Sequence, residues 1–132
     1  MDGGQVALSA DGETQLNAWM NNEGNKKRLF FASLKPGESP TVSGLVDIAG
    51  QQSHPVIAAL EGGKALIAFE ANETIGAAVL DKDGKVLKKQ MLANKGRYPR
   101  LVRTKDAIVV TWESSEGVQI SRVEQSWWAE KK

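Results

Sequence analysis

The chain has 132 residues and a formal net charge of +1, with no cysteine and a single histidine. This length fits one domain with its own core. The missing cysteines exclude disulfides and thiolate metal sites, and one histidine excludes a multi-histidine metal site. The low net charge argues against a nucleic-acid-binding protein, and no apolar run reaches the roughly 20 residues of a membrane span. We therefore expect no metal, no cofactor, no nucleic-acid partner and no membrane. The compartment stays open, and export to a periplasm after loss of a leader is one option.

The first predicted unit covers about residues 4–50 and contains four strands. They are Val6–Ala10, Gln15–Asn21, Lys27–Ser33 and Thr41–Ile48. Asp11-Gly12 is a turn signal between the first two strands, and Pro36-Gly37 breaks the third strand from the fourth. Trp19 lies in the second strand, at a position where an aromatic residue recurs in the later units.

The second predicted unit covers about residues 53–95. Its four strands are Pro55–Leu60, Lys64–Glu70, Ile75–Leu80 and Val86–Leu92. The segment Asp81-Lys82-Asp83-Gly84-Lys85 predicts a hairpin between the last two strands, because Asp-Gly accommodates the positive φ of tight turns. The last strand is the most polar of the four, as expected for an outer strand.

The third predicted unit covers about residues 97–128. Its strands are Arg100–Thr104, Ala107–Glu113, Val118–Val123 and a short fourth strand at Ser126–Trp128. Neighbouring residues of a strand point to opposite faces. We therefore expect one of Trp127 and Trp128 to pack into the unit and the other to cover an edge.

The units repeat one another. His54-Pro55 recurs as Tyr98-Pro99 after 44 positions, and Phe69-Glu70 recurs as Trp112-Glu113 after 43. The difference of one residue predicts a shorter turn in the third unit. Four-stranded units repeating every ~40–50 residues are typical of β-propellers. The sequence thus predicts an all-β chain of three four-stranded antiparallel blades, with a β-sandwich as the alternative.

Three blades cannot close a ring, since propellers have about four to eight blades. The first and last blades would each leave an apolar sheet face in water, which soluble monomers rarely tolerate. We therefore expect either a homodimer that completes six blades or a chain that is part of a longer polypeptide.

The segment Pro55 to Glu70 reads Pro-Val-Ile-Ala-x-x-x-Gly-Gly-x-x-Leu-Ile-Ala-Phe-Glu and is echoed between Pro99 and Glu113. This pattern resembles blades of the sialidase and BNR-repeat-like superfamily, which implies a six-bladed propeller. The family's Asp-box, Ser-x-Asp-x-Gly-x-Thr-Trp, is absent. Arg97-Tyr98-Pro99-Arg100 also differs from the family's Arg-Ile-Pro motif. No catalytic residue of the family carries over to this chain.

Eight basic residues and no acidic residue lie between Lys85 and Lys105. Guanidinium groups can bind a carboxylate, sulfate or phosphate through paired hydrogen bonds, although a solvated strand with local ion pairs is the other interpretation. The repeated rings, the repeated glutamates and this basic run supply the candidate ligand-binding residues: His54, Glu70, Arg97, Tyr98, Arg100, Arg103 and Glu113.

The sequence predicts a non-enzymatic, propeller-type binding module for an anionic carbohydrate or a protein partner. The alternative is a divergent or degenerate sialidase-like propeller that acts on glycosides. That enzyme would need carboxylates, such as Glu70, Glu113 and Asp106, grouped with the arginines. A third possibility is a purely structural scaffold.

Overall fold

Apolar runs separated by turn signals produce three consecutive antiparallel sheets, so the prediction of an all-β chain is confirmed. The computed structural model describes residues 4–9, 12–35, 37–40, 42–46 and 50–129. Some residues of the predicted strands and turns lie outside the described residues: Ala10, Asp11, Pro36, Thr41, Asp47 and Ile48. In the described part of the chain, no helix has the length and apolar character that crossing a membrane requires.

The first two sheets have four strands each, joined in chain order. The first contains β1 (Gln5–Leu8), β2 (Gln15–Glu23), β3 (Lys26–Leu34) and β4 (Val42–Leu45). The second contains β5 (Gln52–Ala59), β6 (Ala65–Ala71), β7 (Thr74–Leu80) and β8 (Val86–Ala93). In the predicted hairpin between β7 and β8, the Asp81 carboxylate accepts hydrogen bonds from the Asp83 and Lys85 backbone amides, both at 2.9 Å.

The third sheet has three strands: β9 (Arg97–Arg103), β10 (Ala107–Ser114) and β11 (Gly117–Glu124). The predicted fourth strand at Ser126–Trp128 is wrong, because these residues belong to the one-turn helix α1 (Gln125–Trp128). Trp128 is 3% exposed, and Trp127 packs against the same core. A strand would direct the two indoles to opposite faces. The helical turn instead brings both onto one core.

The second sheet is buried on both faces. Alternate residues of β6 enter two separate cores: Ile67 and Phe69 pack with side chains of the first sheet, and Leu66 and Ala68 pack with those of the third. β5 accordingly contacts both β2 and β9. A sheet covered on both sides needs no polar alternation, which explains the continuous apolar runs of β6 and β7.

The outer faces of the first and third sheets expose apolar side chains. On the third sheet, the exposed fractions are 60% for Val102, 74% for Val118 and 69% for Ile120. On the first sheet, Val6 and Leu8 are each 59% exposed. By contrast, the apolar side chains on both faces of the second sheet are buried.

The difference of one residue between the second and third units lies in the predicted turn. Ala59 pairs with Ala65 across a five-residue connection, whereas Arg103 pairs with Ile108 across four residues. The longer connection contains Gly62 with a φ of 72°, a conformation that glycine adopts without strain.

Candidate functional site: a cleft between the second and third sheets

Two equivalent β-bulges stand near the starts of β5 and β9. The register of β5 against β6 shifts after Ser53, and that of β9 against β10 shifts between the partners of Thr111 and Glu113. The bulged residues His54 and Tyr98 have positive φ values of 51° and 55°. Such values are strained for residues other than glycine, and they cluster at functional sites. Each ring residue precedes a proline, which has no N–H to give to the ladder.

The bulges bring the His54 ring and the Tyr98 backbone amide to one glutamate. The His54 and Tyr98 rings meet edge to face, with centroids 5.0 Å apart. The His54 Nδ1 lies 2.5 Å from Glu70 Oε2, and the Tyr98 backbone N–H donates to the same oxygen at 2.9 Å. The Glu70 side chain is 13% exposed. Glu70, at the end of β6, therefore connects the bulge of its own sheet to the bulge of the third sheet.

A cleft of about 470 Å³, called the first cleft below, opens beside this glutamate. It lies where three connections meet: the β6–β7 hairpin, the β8–β9 connection and the β10–β11 hairpin. Besides the rings and Glu70, its lining includes Glu73, Lys95, Gly96, Arg97, Glu113, Ser114 and Ser115.

The β8–β9 connection is fixed by a close approach of backbone to side chains. The Gly96 N–H donates to the Glu73 carbonyl at 2.8 Å. A Cβ at Gly96 would lie 2.6 Å from Trp112 Cδ1 and 2.7 Å from Ile75 Cγ1, so no larger residue fits without a shift. This packing holds the neighbouring Lys95 and Arg97 at the mouth of the cleft.

The first cleft contains two cations without an ion-pair partner among the described residues. Lys95 and Arg97 make no ion pair with any residue that the structure describes, whereas Glu70 is held by His54 and the Tyr98 amide. Tyr98 is 43% exposed. The cleft thus offers two cations, an accessible aromatic ring and the Glu73 and Glu113 carboxylates. Such groups can bind a carboxylate, stack on an apolar ring face and accept hydroxyl hydrogens.

Five of the seven predicted site residues line this cleft: His54, Glu70, Arg97, Tyr98 and Glu113. Arg100 and Arg103 lie elsewhere. Arg100 is exposed on the strand beyond the bulge, and Arg103 ends β9 at the far side of the sheet. A strand of seven residues is about 20 Å long, so its two ends cannot reach one small ligand.

Arg103 belongs to a structural cluster at that far end. Its guanidinium donates to the Ala59 carbonyl at 2.5 Å, pairs with the Glu61 carboxylate and lies 5.8 Å from the Trp128 ring centroid. The Trp128 indole N–H donates to the other Glu61 oxygen at 3.3 Å. Burial alone would raise the pKa of the Glu61 carboxyl, but its backbone hydrogen bond and Arg103 outweigh burial and lower the pKa. Asp106 lies in the β9–β10 turn, where its carbonyl accepts from the Gln125 amide at 3.0 Å, outside the lining of the cleft.

Glu73 and Gly96 are lining residues that sequence reasoning missed. The sequence did contain a signal for Glu73, because Asn72-Glu73 lies between two predicted strands. In the structure these residues form the β6–β7 hairpin, with positive φ at both positions. In an antiparallel arrangement, that hairpin must lie at the same end as the β8–β9 connection.

No group of three or more histidine, aspartate and glutamate side chains that could hold a metal ion occurs among the described residues. No family model matches the chain, and neither a curated protein nor a solved structure matches it.

Proposed function

We propose that the chain is a non-enzymatic, propeller-type binding module and that its first cleft binds the carboxylate-bearing unit of an anionic carbohydrate. The supporting observation is the juxtaposition of the two cations Lys95 and Arg97 with the exposed ring of Tyr98. A sugar acid needs all three features: cations for its carboxylate, an aromatic surface for its ring face and acceptors for its hydroxyls.

The strained bulges support a functional surface at this end of the molecule. Positive φ at His54 and Tyr98 costs of order 1–3 kcal/mol each, and such strain persists where it positions a recognition surface. Glu70 serves as the shared acceptor for both bulges, so this carboxylate is occupied in holding the cleft together. Arg97 provides a planar pair of donors at the rim.

We further propose that the three sheets are consecutive blades and that a second copy of the chain completes a six-bladed ring. The support comes from equivalent positions in the repeat. Ala58, Ile75 and Ala77 of the second sheet are buried in the core shared with the third sheet. Their equivalents one unit later are Val102, Val118 and Ile120, which are exposed. This outer face therefore has the apolar character of a face that is covered elsewhere in the same chain.

The solution mass tests the ring. Light scattering on a sizing column should give twice the chain mass at micromolar concentrations. Val118→Lys combined with Ile120→Lys should give the monomer, because charges replace apolar side chains at the interface. Lys88→Gln on β8 is the control and should remain dimeric. A wild-type monomer at every concentration would contradict the homodimer.

Binding is tested with two probes, N-acetylneuraminic acid and glucuronic acid, added separately to isotope-labelled protein. Titration should shift the backbone amide resonances of Gly96, Tyr98 and Glu113. Arg97→Ala should weaken binding by about 10- to 100-fold, because a hydrogen bond to a charged group contributes about 1.5–3 kcal/mol. Arg100→Ala is the matched control, an exposed arginine of the same strand outside the cleft. If neither acid binds, or if both variants lose affinity equally, the proposal is contradicted.

One observation favours a glycoside-active alternative: Glu70 and Glu113 both line the cleft, as paired carboxylates do in glycosidases. Fluorogenic methylumbelliferyl glycosides of the same two sugar acids test this activity. Turnover that disappears in Glu113→Gln would replace the binding proposal with hydrolysis. No turnover alongside measurable binding supports the binding module.

A further inference from the structure

A second cleft lies one sheet earlier, between the first and second sheets, with a volume of about 460 Å³. The described residues of its lining are all polar or charged, whereas small-molecule pockets are usually lined mostly by apolar groups. Carboxamides dominate the lining: Asn22, Asn25, Gln51, Gln52 and Asn72. Neither an apolar ligand nor a purely anionic ligand would account for so many carboxamides.

The floor of the second cleft is fixed by its own hydrogen bonds. Gln52 is 1% exposed, and its Oε1 accepts from the Leu29 amide at 3.2 Å while its Nε2 donates to the Gly50 carbonyl at 2.9 Å. The Gln51 Oε1 accepts from the Lys27 amide at 2.8 Å. These bonds join the first sheet to the start of β5, so the cleft is formed before any ligand arrives.

The side chains at the rim remain available for a ligand. Asn22, Asn25 and Asn72 are exposed, and Asn25 and Asn72 are held at hairpin positions with φ of 67° and 52°. Each carboxamide presents donors and an acceptor together. A sugar hydroxyl is likewise both donor and acceptor, so this rim matches a neutral sugar. Among the described residues, the second cleft is lined by one cation, Lys27, whereas the first is lined by Lys95 and Arg97.

The two clefts share a wall. Glu70 and Glu73 line both of them, from the end of β6 and from the β6–β7 hairpin. Packed sheets lie about 10 Å apart, so equivalent points in the two clefts are separated by about that distance. A short oligosaccharide spans such a distance and can cross the wall at the hairpin.

We infer that the second cleft is a subsite for a neutral sugar unit of the same oligosaccharide whose acidic unit occupies the first cleft. This inference rests on the proposed function. It narrows the ligand class to an acidic sugar glycosidically linked to neutral sugars.

Calorimetry with three probes tests the subsite: N-acetylneuraminic acid, lactose, and the trisaccharide 3′-sialyllactose that joins them. The trisaccharide should bind roughly tenfold more tightly than the acid, the gain expected from one or two net hydrogen bonds. Asn22→Ala combined with Asn25→Gly should remove this gain and leave the affinity for the acid unchanged. The glycine retains the positive φ of Asn25, so the hairpin is preserved. Gln90→Ala is the matched control, an exposed carboxamide on β8 outside both clefts, and should behave as wild type.

The outcomes separate the two proposals. If neither N-acetylneuraminic acid nor glucuronic acid binds, the proposed function fails and the subsite fails with it. If glucuronic acid binds but neither N-acetylneuraminic acid nor the trisaccharide does, the proposed function stands and the subsite is overturned. If the acid binds but the trisaccharide binds no more tightly, the subsite is overturned and the proposed function stands. An equal loss in the Gln90→Ala control would also overturn the subsite, because the effect would then not belong to the cleft.

Discussion

Replacing Gly96 by alanine tests the account of how the first cleft is built. The added methyl would lie 2.6 Å from Trp112 Cδ1 and 2.7 Å from Ile75 Cγ1, whereas carbon atoms normally approach to about 3.5–4.0 Å. The overlap is therefore about 1 Å against two side chains. Trp112 is 6% exposed and Ile75 is fully buried, so neither can move freely into solvent.

The expected cost lies at the upper end of the range for overpacking, about 2–3 kcal/mol. The backbone cannot easily withdraw, because the Gly96 amide is bonded to the Glu73 carbonyl at 2.8 Å. Urea unfolding followed by tryptophan fluorescence measures the change. With a slope of about 1–3 kcal/mol per molar urea, the midpoint should fall by roughly 1 M.

Gly44→Ala is the matched control, since its Cβ would have no neighbour within 4 Å. We expect that variant to unfold within about 0.5 kcal/mol of wild type. A double-mutant cycle with Ile75→Ala should show coupling, because removing Ile75 makes room for the new methyl. Equal stability of Gly96→Ala and Gly44→Ala, or strict additivity in the cycle, would refute the reasoning.

Three further predictions concern the fold. Trp128→Ala should lower the free energy of unfolding by about 3–5 kcal/mol, measured in urea, because it empties the core position that α1 fills; unchanged stability would contradict that role. Glu61 has a folded-state pKa below its ordinary value of 4.5, so its stabilisation is present above that pH and is lost as the pH falls through the folded-state pKa. Lowering the pH should therefore destabilise the wild type slightly more than Glu61→Gln. The difference should be small because the Glu61 side chain is 60% exposed. If the free energy of unfolding falls equally with acid in both proteins, the prediction is disproved. Asp81→Ala should cost about 1 kcal/mol in the same assay through loss of its two turn hydrogen bonds, whereas Asp83→Ala should be near neutral.

The sequence predicts the sheets well because turn chemistry and apolar runs are local signals. The strand β7, for example, matches the predicted Ile75–Leu80 apart from Thr74 at its start. Strand starts next to proline were less accurate. β5 and β9 begin at Gln52 and Arg97, three residues before the predicted starts. The prediction starts one strand at Pro55 and the other at Arg100, the residue after Pro99, but a bulge lets each ladder continue past the proline.

The candidate site was predicted where repetition or the basic run supplied a signal. The repeated ring before proline indicated that His54 and Tyr98 occupy equivalent positions, but not that their rings touch across two sheets. That contact depends on how the sheets pack. The basic run indicated Arg97, Arg100 and Arg103 alike. Which of the three lines the cleft depends on strand alternation and on distance along β9, and only Arg97 does.

The double burial of the second sheet has a consequence for how the molecule opens. An amide in β6 or β7 is shielded from solvent by sheets on both sides, so separating one neighbour alone exposes only one face. Hydrogen exchange at Ile67 and Ala77 should therefore require the loss of both outer sheets, which amounts to global unfolding. Amides in β11, at the edge of the third sheet, should exchange through smaller openings. The slowest-exchanging amides of this protein are thus expected in the middle of its sequence, far from either end of the chain.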